Sequence, residues 1–273
     1  MTSGDVFEDF KSFGVRGDEP GKRRIVGAGL KMYLSYQETI EWLESIKARE
    51  AGFGDVGVYV LPTFPALGEA QKMLAGTRIL YGAQDTFWEE RGPFTGEVSP
   101  LVLRELGCTF IEVGHSERRT MFGETDEWVQ RKTAAVLSQG LIPLICIGEP
   151  TKQNSDKAID FTINQLRSAL GGLSNIEKAP ENCAVVIAYE PVWAIGADKS
   201  APVDHIEPIV AAIREELSAI WKGASAVLYG GSVNPSQAEG LSHTSVDGLF
   251  IGRSVLKIDQ FFDIIFAVSN NNN

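Results

Sequence analysis

The sequence predicts an α/β fold, a closed parallel (β/α)8 barrel in a single domain, and three observations carry that reading. Eight short apolar runs recur along the chain, amphipathic stretches separate them, and no run alternates with polar residues as a strand with one wet face would. The runs lie at 24–28, 56–61, 79–83, 110–113, 142–147, 184–189, 226–229 and 248–251. A chain of 273 residues is the right size to hold such a barrel around one core.

The elements follow in order. Residues 1–21 are polar, charged and punctuated by Gly and Pro, so they read as a flexible N-terminal extension. Residues 22–268 form the barrel, and 269–273 read as a low-complexity, disordered tail. Helical periodicity is clearest at 37–49, 126–139, 159–170 and 204–221. The sixth apolar run stops at Glu190, because Pro191 cannot donate to a strand ladder and holds the residue before it extended. The small residues beyond Trp193 suit a loop that folds over a ligand.

Composition narrows the partners. A net charge of -11 argues against a nucleic-acid or anionic membrane surface. No apolar run is long enough to span a bilayer and the start of the chain lacks an apolar signal core, so no membrane partner is expected. Cys108, Cys146 and Cys183 are an odd set without metal-ligand spacing, which reads as reduced thiols in a cytoplasmic protein with no metal site.

On a parallel barrel the chemistry sits at the C-terminal ends of the strands. The first run leads into Lys31, the fourth into His115 and the sixth into Glu190. A lysine, a histidine and a carboxylate converging from three separate strands can polarise a carbonyl and move a proton. A structural histidine is the competing reading for His115, and the favoured one for His205 and His243. Two glycine-containing loops, Gly230-Gly231-Ser232 after the seventh run and Gly252-Arg253-Ser254 after the eighth, stand where this architecture builds phosphate sites from main-chain N–H groups.

These residues also carry a family resemblance. Lys31-Met32, Trp88 through Phe94-Thr95-Gly96-Glu97-Val98-Ser99, Val113-Gly114-His115-Ser116-Glu117-Arg118-Arg119, Cys146-Ile147-Gly148-Glu149, Ala188 through Gly196 and Tyr229 through Asn234 occur in one order along residues 24–256. In that set and order the chain resembles the triosephosphate isomerase family. The resemblance implies an aldose–ketose isomerase that interconverts dihydroxyacetone phosphate and glyceraldehyde 3-phosphate through an enediolate, without metal or organic cofactor. It implies Glu190 as the base, His115 as a neutral electrophile and Lys31 as the cation, with Glu117 and Cys146 in supporting positions. Gly196, Ser232, Gly252 and Arg253 fall at phosphate-binding positions. Trp193, Ala194, Ile195, Gly196, Ala197, Asp198, Lys199, Ser200 and Ala201 form the lid, whose closure keeps water from the intermediate. The resemblance also implies a homodimer through the loop at 88–99, with Thr95 and Glu97 near the partner's site.

Four positions depart from the family pattern. Gly29 stands where most members have Asn, Leu30 where the usual residue is Trp, Arg253 where most have a second Gly, and Asp198 where the lid tip has Gly. Loss of the Asn side chain leaves a donor position unfilled and room for a longer substrate. The Gly252-Arg253-Ser254 ending and the run 140–149 are similar to members that isomerise four-carbon ketose phosphates. A tetrulose phosphate of the erythrulose type is therefore an open alternative. A third reading, a weakened phosphate-binding barrel with a regulatory or binding role, is kept open by Gly29 and Arg253 and opposed by the intact Lys31, His115 and Glu190.

Overall fold

The computed structural model describes residues 3–14, 24–171, 183–197 and 199–269. Its centre is a closed barrel of eight parallel strands in chain order: β1 Ile25–Gly29, β2 Gly57–Leu61, β3 Leu80–Ala83, β4 Phe110–Val113, β5 Ile142–Ile147, β6 Ala184–Tyr189, β7 Ala224–Tyr229 and β8 Gly248–Ile251. Closure comes from β1, which pairs with β2 on one side (Ile25↔Gly57) and with β8 on the other (Ile25↔Gly248). The fold is the predicted one. The first predicted strand shifts by one residue, and the second, third and seventh shift at their starts.

Ten α-helices are present among the described residues: α1 Ser3–Ser12, α2 Tyr36–Ala48, α3 Leu67–Met73, α4 Pro100–Glu105, α5 Ser116–Phe122, α6 Asp126–Ser138, α7 Ser155–Leu170, α8 Val203–Ile220, α9 Pro235–Ser242 and α10 Ile258–Ser269. Their starts are chemically marked. Ser35 and Asn234 each form a reciprocal capping box, at α2 and α9, and Thr125 and Asn154 accept main-chain N–H groups at α6 and α7. The helices bury their apolar stripe against the outer face of the barrel, where Val26, Val58, Ile111, Ile145, Ile187 and Val227 join one continuous core.

A second core fills the barrel interior, and it holds the main correction to the sequence reading. Residues 3–14 are not a loose extension. Val6, Phe7, Phe10 and Phe13 pack with the interior residues Ile25, Tyr59 and Phe110. The rings of Phe10 and Phe13 lie 6.2 and 5.8 Å from that of Phe110, and Phe10 is wholly buried. Their spacing sets one apolar stripe on a helix otherwise made of Ser, Asp, Glu and Lys. The rest of the expected extension (1–2 and 15–21), lid residue Asp198 and tail residues 270–273 lie outside the described residues.

Candidate active site

The C-terminal ends of the strands surround a cleft of about 550 Å³. It is lined by Lys31 beyond β1, His115 beyond β4, Glu190 beyond β6, Ser232 beyond β7 and Arg253 beyond β8, so the structure brings the three chemical residues and the two loops to one place. The register explains part of this. Tyr189 of β6 pairs with Tyr229 of β7, which delivers Glu190 and Gly230 side by side at the mouth.

Lys31 has φ 48°, a left-handed conformation rare for a residue with a Cβ, and the backbone strain turns its side chain into the cleft. Its Nζ donates to Glu117 Oε1 at 2.6 Å. Burial works against this charge, but Glu117, Glu190 and Glu112 together hold the pKa above the ordinary lysine value.

His115 is the N-cap of α5, and its Nδ1 accepts the main-chain N–H of Glu117 at 3.2 Å. An Nδ1 that accepts leaves the ring proton on Nε2, which lies 3.6 Å from Glu190 Oε2. Burial, with Lys31 adding to it, pushes the imidazole pKa down to about 4, so the ring is neutral at physiological pH.

Glu190 is 3% exposed and its Oε2 has no hydrogen-bond partner among the described residues. Burial pushes its pKa up to about 8 against the pull of Lys31. A carboxylate so poorly solvated is a stronger base than one in water.

The candidate phosphate end is built from three loops. Ser254 Oγ donates to Val233 O at 2.7 Å and ties the loops after β7 and β8 together. The Arg253 side chain points inward rather than away. Its guanidinium makes no ion pair among the described residues and lies over Gly196, where a methyl group would meet Nη2 at 2.8 Å. The segment from Trp193 to Ala201, expected to be the lid, is held at both ends. Trp193 Nε1 donates to the fully buried Glu149 at 2.7 Å, and Ala201 N–H donates to Tyr229 OH at 2.8 Å. His205 completes the Glu149 cluster, with Nε2 at 2.9 Å, which gives this histidine a structural place.

At Gly29 the structure differs from expectation. A Cβ there would lie 2.9 Å from Phe250 Cζ and 3.2 Å from Cε2. The space left by the missing side chain is taken by a phenyl ring from β8 instead of standing open.

Sequence reasoning missed four features here. Lys132, 2% exposed, donates to Asp85 and Glu124 at 2.7 and 2.8 Å, and Arg118 bonds the same two carboxylates. Because Glu124 Oε1 also accepts Gly114 N–H at 2.8 Å, this buried network fixes the turn that presents His115. The Glu149 cluster and Phe250 are the second and third. Glu112 is the fourth: a carboxyl inside the barrel on β4, at the floor of the cleft. Its signal was visible as the one charge in the run Phe110-Ile111-Glu112-Val113.

A sequence model described as triosephosphate isomerase matches residues 24–268, which is the whole barrel. The chain belongs to the triosephosphate isomerase family. It is 38% identical to the triosephosphate isomerase of Thermoanaerobacter pseudethanolicus over 252 residues, covering 89% of this chain and 99% of the relative. It is 40% identical to the L-erythrulose-1-phosphate isomerase of Mesorhizobium japonicum over 248 residues, covering 89% and 96%. A second relative of that name, from Pectobacterium atrosepticum, is 39% identical over 240 residues, covering 85% and 90%.

Proposed function

We propose that the protein is an aldose–ketose isomerase of triose phosphates, interconverting dihydroxyacetone phosphate and glyceraldehyde 3-phosphate. The observation that carries this reading is the meeting of a desolvated Glu190, a neutral His115 and a charged Lys31 beside two phosphate-type loops.

The phosphate docks against the N–H groups near Ser232 and Gly252, with the Arg253 guanidinium and lid residue Gly196 above it. Its carbon chain then reaches across the cleft. Glu190 removes the proton from the carbon beside the carbonyl, and negative charge builds on the carbonyl oxygen. His115 Nε2–H and the Lys31 ammonium meet that charge, so the enediolate forms without a full charge standing unpaired. Glu190 then returns the proton to the neighbouring carbon, while His115 Nε2 gives its proton to the former carbonyl oxygen and takes the hydroxyl proton from the other, so that the second oxygen becomes the new carbonyl. Atoms balance within one substrate molecule. Glu117 holds Lys31 in line, and the Cys146 thiol lies under Glu190. The lid from Trp193 to Ala201 excludes water while the intermediate exists.

A homodimer belongs to the same reading. The loop at 88–99 carries a cluster of Phe87, Trp88 and Phe94, with ring centroids 4.0 and 4.7 Å apart. Phe94, Met32 and Tyr33 nevertheless stay exposed at 38, 90 and 53%, an apolar surface that suits a second copy.

A tetrulose phosphate is the second reading. Its support is the chain's comparable likeness to erythrulose-phosphate isomerases and triosephosphate isomerases, together with the Arg253 guanidinium beside Gly196, whereas the Phe250 ring removes the extra room expected at Gly29. A coupled assay with both substrates at equal concentration tests the pair. Higher kcat/KM on the triose supports the first reading, and higher kcat/KM on the tetrulose supports the second. Binding of phosphate without turnover of either would leave the weakened barrel.

A further inference from the structure

Glu112 has no role in the proton transfer described above, yet it is a carboxyl set inside an apolar barrel. It is 6% exposed, and the exposed part lines the cleft. Among the described residues its hydrogen bonding is limited to the Cys146 thiol, which lies 3.7 Å from Oε1. Two more polar atoms in this region lack partners, Glu190 Oε2 and Tyr59 OH, both wholly enclosed. Burying a carboxyl with so little compensation costs stability, and a leucine would fill the same interior more favourably. A group kept at that cost beside a reacting centre is a candidate for contact with the substrate.

We propose that Glu112 is a second substrate-facing carboxyl, which donates a hydrogen bond from the cleft floor to a carbon-chain oxygen of the sugar phosphate. The inference rests on the isomerase reading and deepens it, since it assigns to β4 the donor that Gly29 no longer supplies from β1. Two facing carboxyls cannot both ionise at low cost, and Glu190 must be the ionised one to act as base. Burial and the charge of Glu190 hold the Glu112 carboxyl well above the usual carboxylate range, with Lys31 opposing them. The groups that face it are Lys31 from β1, Tyr59 from β2, Asp85 beyond β3, Cys146 from β5 and Glu190 beyond β6. A neutral Glu112 presents an O–H, the kind of group that recognises a hydroxyl or carbonyl oxygen and not a phosphate.

The test compares Glu112→Gln with Glu112→Leu on whichever sugar phosphate the wild type turns over faster, with inorganic phosphate as a competitive inhibitor. The Leu variant should lose roughly three- to tenfold in kcat/KM, the range of one neutral hydrogen bond, with phosphate inhibition unchanged and thermal stability equal or higher. The Gln variant keeps a neutral donor and should stay within about threefold of wild type. Glu112→Met gives the same reading as Leu if Leu packs badly. A Leu variant as active as wild type would overturn the inference and leave the isomerase reading standing. Equal losses in Gln and Leu would overturn the neutral donor. A parallel loss of phosphate inhibition would mark a structural role and overturn it also. A wild-type protein inactive on both sugar phosphates would overturn the isomerase reading itself, and this inference with it.

Discussion

His115 Nε2 lies 3.6 Å from Glu190 Oε2, with the imidazole neutral and the carboxyl buried. The spacing leaves the two groups side by side without a tight ion pair, so both remain free to meet a substrate. Neither would work if the proton sat on the wrong one.

That relationship sets a pH profile. Burial holds Glu190 at about 8, so a falling pH protonates the base and removes activity long before His115 gains a proton at about 4. The kcat/KM should rise with pH through a step near 8, with no histidine step between pH 5 and 7. Lys31, held above the ordinary lysine value, keeps its charge across that range. Steady-state rates from pH 5 to 9.5 check this, and a flat profile through pH 8 would mean Glu190 is not the titrating base.

The close approach of Gly29 and Phe250 predicts a paired effect. Gly29→Asn alone forces the new side chain against the Phe250 ring, and overpacking of this kind costs about 1–3 kcal/mol. The single variant should therefore lose stability and lose activity on triose and tetrulose phosphates together. Adding Phe250→Leu should relieve the contact and raise activity on the triose relative to the tetrulose. Thermal melts and the two kcat/KM values measure both parts. A Gly29→Asn variant as stable as wild type would show that the ring does not fill that space.

The buried network around Lys132 predicts a stability effect of another kind. Lys132→Met leaves Asp85 and Glu124 buried together with Arg118 as their remaining cation, and breaking a buried pair costs about 3–5 kcal/mol. Because Glu124 also holds the Gly114 turn, kcat should fall with stability. Urea unfolding and turnover on the same samples test the link.

Helix α1 predicts the opposite pattern. Phe10→Ala should cost about 3 kcal/mol or more through the cavity it leaves against Phe110. It should leave kcat nearly unchanged, since Phe10 belongs to the interior core and does not line the cleft. Unaltered stability in denaturant would restore the reading of this segment as a loose extension.

What the sequence showed and hid follows from where the information lay. The eight strands were legible because each apolar run stops at a glycine, a proline, a charge or, after the third, Gln84, and Lys31, His115 and Glu190 stand at or just beyond those stops. Helix α1 was hidden because Val6, Phe7, Phe10 and Phe13 have a partner that exists only once the barrel has closed. Lys132, Asp85 and Glu124 were hidden for a similar reason, since these charges look solvated in sequence until the fold buries Lys132 within 2.8 Å of both carboxylates. Gly29 was legible as a missing side chain, while the ring that replaces it comes from β8, more than two hundred residues away.

The central claim, that Glu190 carries a proton between adjacent carbons of a sugar phosphate, is tested most directly by isomerisation in heavy water followed by proton NMR. Starting from dihydroxyacetone phosphate, the account predicts solvent deuterium at the carbon of the product that receives the proton. It also predicts that Glu190→Asp lowers the rate by on the order of a hundredfold, because retracting the base by about an angstrom spoils its approach, while inorganic phosphate still binds. Product formed with no solvent deuterium in it or in the recovered substrate, or an Asp variant as fast as wild type, would contradict it.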